Sequence, residues 1–181
     1  MAGWLSGRAP AWAEAGAAAP QPLERFVNTE QGYAVDVPAG WERIEKMGAN
    51  ALFEDPARRS TSLGVTVNPV RVADITAFGS LAAVGEKLLD AERKKDGYLS
   101  VEMVSTSTRT SGAATLYVYE YDLDSTRGRK RILNTVTITG SRLYILNAMY
   151  KCEKDDEACN SEAVVATVAR LRGLASSFEV V

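Results

Sequence analysis

Histidine is absent from the 181 residues of this chain. That absence removes the commonest general base, the commonest zinc ligand and the usual sensor of pH near neutrality. Cysteine is nearly as scarce, with two copies, and two thiolates without histidine leave a tetrahedral zinc set incomplete. No apolar run approaches the roughly 20 residues of a bilayer-crossing helix, so the chain is expected to be soluble. The phosphate-cradling patterns G-x-x-x-x-G-K-S/T and G-x-G-x-x-G and the nucleophile elbow G-x-S-x-G are all missing. A Ser, Cys or Thr nucleophile would have to use lysine or a carboxylate as its base, a minority solution. The expectation is a protein that is not an enzyme, with no catalytic and no cofactor-binding residue. An excess of one charge is lacking too: 21 basic against 23 acidic residues leave a formal charge of −2, which gives no global attraction to nucleic acid or an anionic membrane.

What remains is an ordinary globular composition, 46% hydrophobic and 24% charged, which argues against wholesale disorder and against a membrane bundle. Residues 1–25 read as a flexible Ala/Pro-rich tail, because Pro10, Pro20 and Pro22 interrupt any helix. Ala11-Trp12-Ala13 and Ala17-Ala18-Ala19 have the small-x-small form read by signal peptidases, without the long apolar core that precedes such sites. The segment therefore reads either as a linker or as a remnant of a targeting segment. From Phe26 the texture changes, and residues 26–181 are expected to form one domain.

Tyr33, Val35 and Val37 alternate before Pro38, and Leu63, Val65 and Val67 alternate before Pro69; each set is expected as a strand with one buried face. Ser80 can cap a helix whose Leu81, Val84, Leu88 and Leu89 form an apolar stripe, with Asp96-Gly97 as its stop. Runs over 99–108, 114–123, 132–139 and 142–150, separated by short turns, predict antiparallel strands. A helix over 161–171 carries Val164, Val165, Val168 and Leu171 on one side, and Phe178 and Val180 end the chain in a short strand. The predicted fold class is α+β, a largely antiparallel sheet with packed helices.

Four features carry chemistry. Asp155, Asp156 and Glu157 form an acidic cluster able to hold a hard cation such as Ca2+ weakly with water completing its shell, or simply a solvated charge run. Cys152 and Cys159 bracket that cluster; they close a small disulfide loop in an oxidising compartment, worth about 2.5 kcal/mol by chain entropy, or remain free thiols. Arg127, Arg129, Lys130 and Arg131 crowd positive charge into the segment expected as a polar connection over 124–130. Such a patch suits an acidic protein surface, or serves only solubility; without interleaved aromatics it does not suit nucleic acid. Asp122-x-Asp124 before Gly128 echoes a calcium loop, but Leu133 stands where the bidentate Glu is required. Tyr117, Tyr119, Tyr121 and Tyr144 are read as core or rim of a sheet face.

Gly32-Tyr33, then Val37-Pro38-Ala39-Gly40-Trp41, Phe53-Glu54-Asp55-Pro56, Gly64 to Pro69 and Ile75 to Ser80 occur in an order that resembles the PsbP proteins of oxygenic phototrophs. Tyr117 to Tyr121, Asn134-Thr135-Val136, Gly140 to Asn147 and Ser177 to Val180 continue the likeness. The resemblance implies a central antiparallel sheet sandwiched by helices. It also implies an extrinsic protein of the chloroplast thylakoid lumen, or its cyanobacterial equivalent. Such a protein is peripheral on the lumenal membrane face, attached to photosystem II and its oxygen-evolving complex, where it supports calcium and chloride retention or complex stability. An alternative within the resemblance is an assembly or repair factor for photosystem I or II, with redox sensitivity through Cys152 and Cys159 as one form of it. The histidines that some members use for metal binding have no counterpart here, and the N-terminal tail is unlike that of PsbP proper, so the chain looks nearer to the PsbP-like and PsbP-domain branches.

Overall fold

A computed structural model describes residues 21–152 and 162–181 of the chain. Strands β1 (Leu23–Asn28) and β2 (Tyr33–Pro38) form an antiparallel pair. After them come β3 (Glu42–Arg43), β4 (Ala51–Asp55), β5 (Arg58–Pro69) and two helices, α1 (Ile75–Phe78) and α2 (Leu81–Arg93). Next is a four-stranded meander, β6 (Tyr98–Ser111), β7 (Ala114–Ser125), β8 (Gly128–Thr139) and β9 (Arg142–Lys151). Helix α3 (Glu162–Ser176) and the short strand β10 (Glu179–Val180) complete the described chain. Seven strands pair in the order β3-β4-β5-β9-β8-β7-β6, and a second sheet has the order β1-β2-β10. Every pairing in both sheets is antiparallel. The α+β class expected from the periodicity is therefore the observed one.

The meander follows from its turns. Gly140 and Ser141 both take positive φ, 57° and 58°, the geometry that lets a two-residue turn match the twist of the strands it joins. β7 and β8 are linked by Thr126-Arg127 alone, so the polar connection expected over residues 124–130 is mostly strand: Asp124 pairs with Arg129 and Leu123 with Lys130. The density of charge suggests a loop; cross-strand partners of opposite charge make it a ladder.

The sheet is buried on both faces. On one lie α3 and the small sheet, packed on Leu63, Val65, Leu133, Leu146 and Tyr150 through Val164, Val168, Leu171, Leu174 and Phe178. Val165, expected on the same side as Val164, is instead exposed. On the opposite face α1 and α2 cover Tyr117, Tyr119, Tyr121, Ile132, Val136 and Ile138. The tyrosine hydroxyls find partners there: Tyr117 donates to the Gly79 carbonyl at 3.1 Å and Tyr119 to that of Leu81 at 2.8 Å. Burial pushes the Tyr119 and Tyr121 hydroxyls well above the usual tyrosine range. Tyr144 belongs to the other face, where its hydroxyl donates to the Gln31 carbonyl at 2.8 Å.

Helix α2 begins where expected, with the Ser80 hydroxyl accepting from the Ala83 amide at 3.2 Å. Gly85 lets it approach the sheet closely, since a Cβ there would lie 3.0 Å from the Tyr119 ring. The helix ends in a loop pinned by Gly97, whose φ is +79° and whose carbonyl accepts from the Thr126 amide at 2.8 Å. A Cβ at Gly97 would collide with the Thr126 hydroxyl. Gly97→Ala is therefore expected to cost about 1–3 kcal/mol, measured as a shifted urea midpoint with an unchanged slope; an unshifted midpoint would show that this loop does not hold the hairpin.

Candidate interaction surface

The β7–β8 hairpin carries the charged end of the sheet, and strand alternation divides its basic residues between the two faces. Arg129 and Arg131 share the α3 side with Glu120, Asp122 and Asp124; Lys130 lies on the α2 side, and Arg127 sits exposed at the tip. The four residues expected to act as one basic connection thus form two different environments.

On the α3 side most of the charge is internally matched. The Arg131 guanidinium donates to both oxygens of Asp122, from Nε to Oδ1 and, at 2.8 Å, from Nη2 to Oδ2. It also reaches Glu120 Oε1 at 2.7 Å. Arg172, one residue beyond the predicted end of the last helix, donates from Nε to Glu120 Oε2 at 2.8 Å and from Nη2 to Oε1 at 2.7 Å. Glu120 is buried. Burial alone would raise its pKa, but the hydrogen bonds from Arg172 and Arg131 outweigh it and hold the carboxyl below its ordinary range. A cleft of about 280 Å³ opens beside this network, with Glu102, Asp124 and Arg129 on one side and Val164, Val165 and Val168 on the other. Ser100, Lys130, Tyr150 and Cys152 are also among the described residues that line it. Among the described residues no group of three or more His, Cys, Asp or Glu side chains is placed to hold a metal ion. Two of the cleft's carboxylates are engaged by cations, Arg131 holding Asp122 and Arg129 standing 3.7 Å from Asp124. Asp155, Asp156 and Glu157 lie outside the described residues.

The α2 side is different. Lys130 stands directly opposite Lys151 across the β8–β9 ladder, an arrangement that costs stability unless something negative is near. Glu92 is the buried carboxylate on this side; its Oε2 lies 2.7 Å from Lys95 Nζ, and its Oε1 lies 3.2 Å from the Tyr121 hydroxyl, which itself sits 2.9 Å from Asn134 Oδ1. Burial and then the positive field of Lys95, joined by Lys151 and Arg127 and opposed by Glu92, lower the Lys130 pKa. Lys95, Arg127, Lys130 and Lys151 come from three separate elements, so no stretch of sequence announces their meeting; only the Arg127–Arg131 run pointed to this end of the molecule.

Cys152 follows β9, is buried, and is disulfide-bonded rather than free; the expected partner, Cys159, lies outside the described residues. No helix among the described residues is long and apolar enough to cross a membrane.

The described residues thus form a doubly covered antiparallel sheet with a cationic end. Residues 21–180 match the PsbP family, and the chain belongs to it. It is 36% identical over 131 residues to PsbP domain-containing protein 2, chloroplastic, of Arabidopsis thaliana, a match covering 72% of this chain and 56% of that relative's length. It is also similar to CyanoP of Thermosynechococcus vestitus, 21% identical over 140 residues that cover 73% of this chain and 76% of the relative. The solution structure of the cyanobacterial PsbP, CyanoP, from Synechocystis superposes with a TM-score of 0.71 at 18% identity, covering 94% of this chain and 99% of that one. The last likeness establishes the shared fold.

Proposed function

We propose that this protein is a non-catalytic, extrinsic subunit-like partner of photosystem II in the thylakoid lumen, peripheral to the membrane and attached through its charged hairpin end. Family membership across residues 21–180 is the observation that carries the reading. The chloroplastic relative and the cyanobacterial ones support a photosynthetic compartment. The cations gathered on the α2 side support the manner of attachment, since a like-charged surface cluster steers toward an acidic face and binds it more weakly as salt rises.

Calcium or chloride retention, in this reading, is an effect of docking over a partner's ion site rather than of ligands held by the described residues. The greater identity to a PsbP-domain protein than to CyanoP favours, as the second reading, an assembly or repair factor that binds the same class of partner transiently.

The test uses Arg127→Glu combined with Lys130→Glu, leaving Arg131 intact because its guanidinium holds Glu120 and Asp122. Attachment to washed thylakoid membranes is expected to weaken about tenfold or more at low ionic strength, with the difference from the unmodified protein closing at high salt. Equal attachment of the two proteins at low salt would reject the hairpin end as the docking surface. Mass spectrometry of the retained complexes separates the two readings: photosystem II subunits at steady state support the first, and assembly intermediates the second.

A further inference from the structure

The seven-stranded sheet ends on β6, a 14-residue strand that pairs with β7 and with no other strand among the described residues. An edge of this length is a template for another chain, and proteins commonly blunt such edges with lysine, proline or an inward charge. β6 contains neither lysine nor proline. Its first half is interrupted by register shifts between Tyr98 and Ser100 and between Met103 and Ser105, and α2 packs over it. Beyond the second shift, Ser105 to Ser111 runs without interruption opposite β7. Ser105, Thr106, Ser107, Thr108 and Thr110 are all exposed.

This outer segment reads Ser-Thr-Ser-Thr-Arg-Thr-Ser, which is nearly the same in both directions about Thr108. We propose that β6 is a self-association edge on which a second copy of this chain pairs antiparallel, related by a two-fold axis at Thr108. In that register Thr106 of each copy faces Thr110 of the other, Ser105 faces Ser111, and Thr108 meets its own counterpart, giving a field of threonines on the α2 side of a sheet continuous through both molecules. Threonine pairs of this kind are favourable across strands. The one charge in the segment, Arg109, faces Ser107 and never itself. Arg109 is moreover turned back into its own molecule, donating to the Phe178 carbonyl at 2.6 Å and the Ala175 carbonyl at 3.1 Å, so it does not guard the edge. The alternation of antiparallel ladders lets a pair centred on Thr108 form whichever way its peptide groups point.

Two seven-residue edges make a small contact, below the roughly 1,200 Å² of standard complexes, so the dimer is reversible and grows with concentration. The proposal is independent of the photosystem partner proposed above. Sedimentation velocity of the full chain, from micromolar to near-millimolar concentration, is expected to show a monomer–dimer equilibrium. Thr108→Lys places like charges on the two-fold and is expected to raise the dimer dissociation constant about tenfold or more, with an unchanged circular dichroism spectrum showing that the fold is kept. Thr106→Lys combined with Thr110→Glu brings opposite charges together in this register only, and is expected to give dimers that, unlike those of the unmodified chain, weaken with salt. A protein that sediments as a monomer at every concentration, or a dimer indifferent to Thr108→Lys, would overturn the proposal.

Discussion

Replacing Phe178 by alanine is expected to cost about 3–5 kcal/mol and to lower the melting temperature by about 10 °C or more. Phe178 is fully buried against Tyr33, with ring centroids 6.0 Å apart, in the core that joins α3 to both sheets. Two molecular ends meet at this residue. Its carbonyl accepts from Arg109 of β6, and the neighbouring Ser177 carbonyl accepts from Arg25 of β1 at 2.8 Å. The Ser177 hydroxyl also accepts from the Asp36 amide of β2 at 2.8 Å. Loss of the ring therefore leaves a cavity beneath the short strand β10 and frees the segment that ties β1, β2 and α3 together. Differential scanning calorimetry checks the magnitude, and amide exchange checks the location: protection should fall first in β1, β2 and β10. A loss under 1 kcal/mol would mean that the small sheet is held by its hydrogen bonds and not by this ring.

Glu120→Gln is expected to have the second largest effect and a distinctive dependence on pH. Glutamine keeps the shape and one acceptor oxygen but withdraws the charge that holds Arg131 and Arg172. A fully buried pair broken in this way costs roughly 3–5 kcal/mol. Here Arg131 and Arg172 keep 25% and 49% of their side chains exposed, and solvent screening brings the expected cost to about 2 kcal/mol at neutral pH. The folded pKa of Glu120 is depressed, so the contribution of its charge is complete above the unfolded value of about 4.3 and is lost as pH falls through the folded value. The stability curves of the two proteins should accordingly lie apart at pH 7 and converge in acid, the variant showing the shallower acid limb. Parallel curves down to strongly acidic pH would show that the carboxylate charge is not what the two arginines hold.

The strands and helices that pattern alone marks are those whose buried face is long enough to repeat. Tyr33, Val35 and Val37 alternate in an isolated run, and Ser80 with Val84 and Leu89 gives α2 both its start and its stripe. β1 is not legible, because Leu23 to Asn28 directly follows Pro22 and leaves Leu23 and Val27 half in water. It is held instead by Arg25, which reaches Asp36 at 3.0 Å and pairs with Glu179, partners 11 and 154 positions away. α1 escaped for a similar reason: with 4 residues it has no period, although Asp74 caps it by accepting from the Ala77 amide at 3.0 Å. Of the candidate surface, the Arg127 to Arg131 run is visible as charge, but its density suggests loop where the chain is mostly strand. The corrective signal was already present, since Asp122 and Asp124 precede the turn at the same spacing at which Arg129 and Arg131 follow it. Glu120 was concealed among tyrosines, and its partner Arg172 comes from a helix 52 positions later, a distance that no local pattern spans.

Among the described residues, the opposition of Lys130 and Lys151 sets two like charges side by side in one ladder. The rest of the sheet dictates that ladder, and Glu92, the buried carboxylate on this side among the described residues, is already shared with Lys95 and Tyr121. Natural sequences resolve most such conflicts during folding. One that persists at a surface is eased by any carboxylate brought near it, so in the docking proposed above part of the gain would come from relief within this protein as well as from contact with its partner.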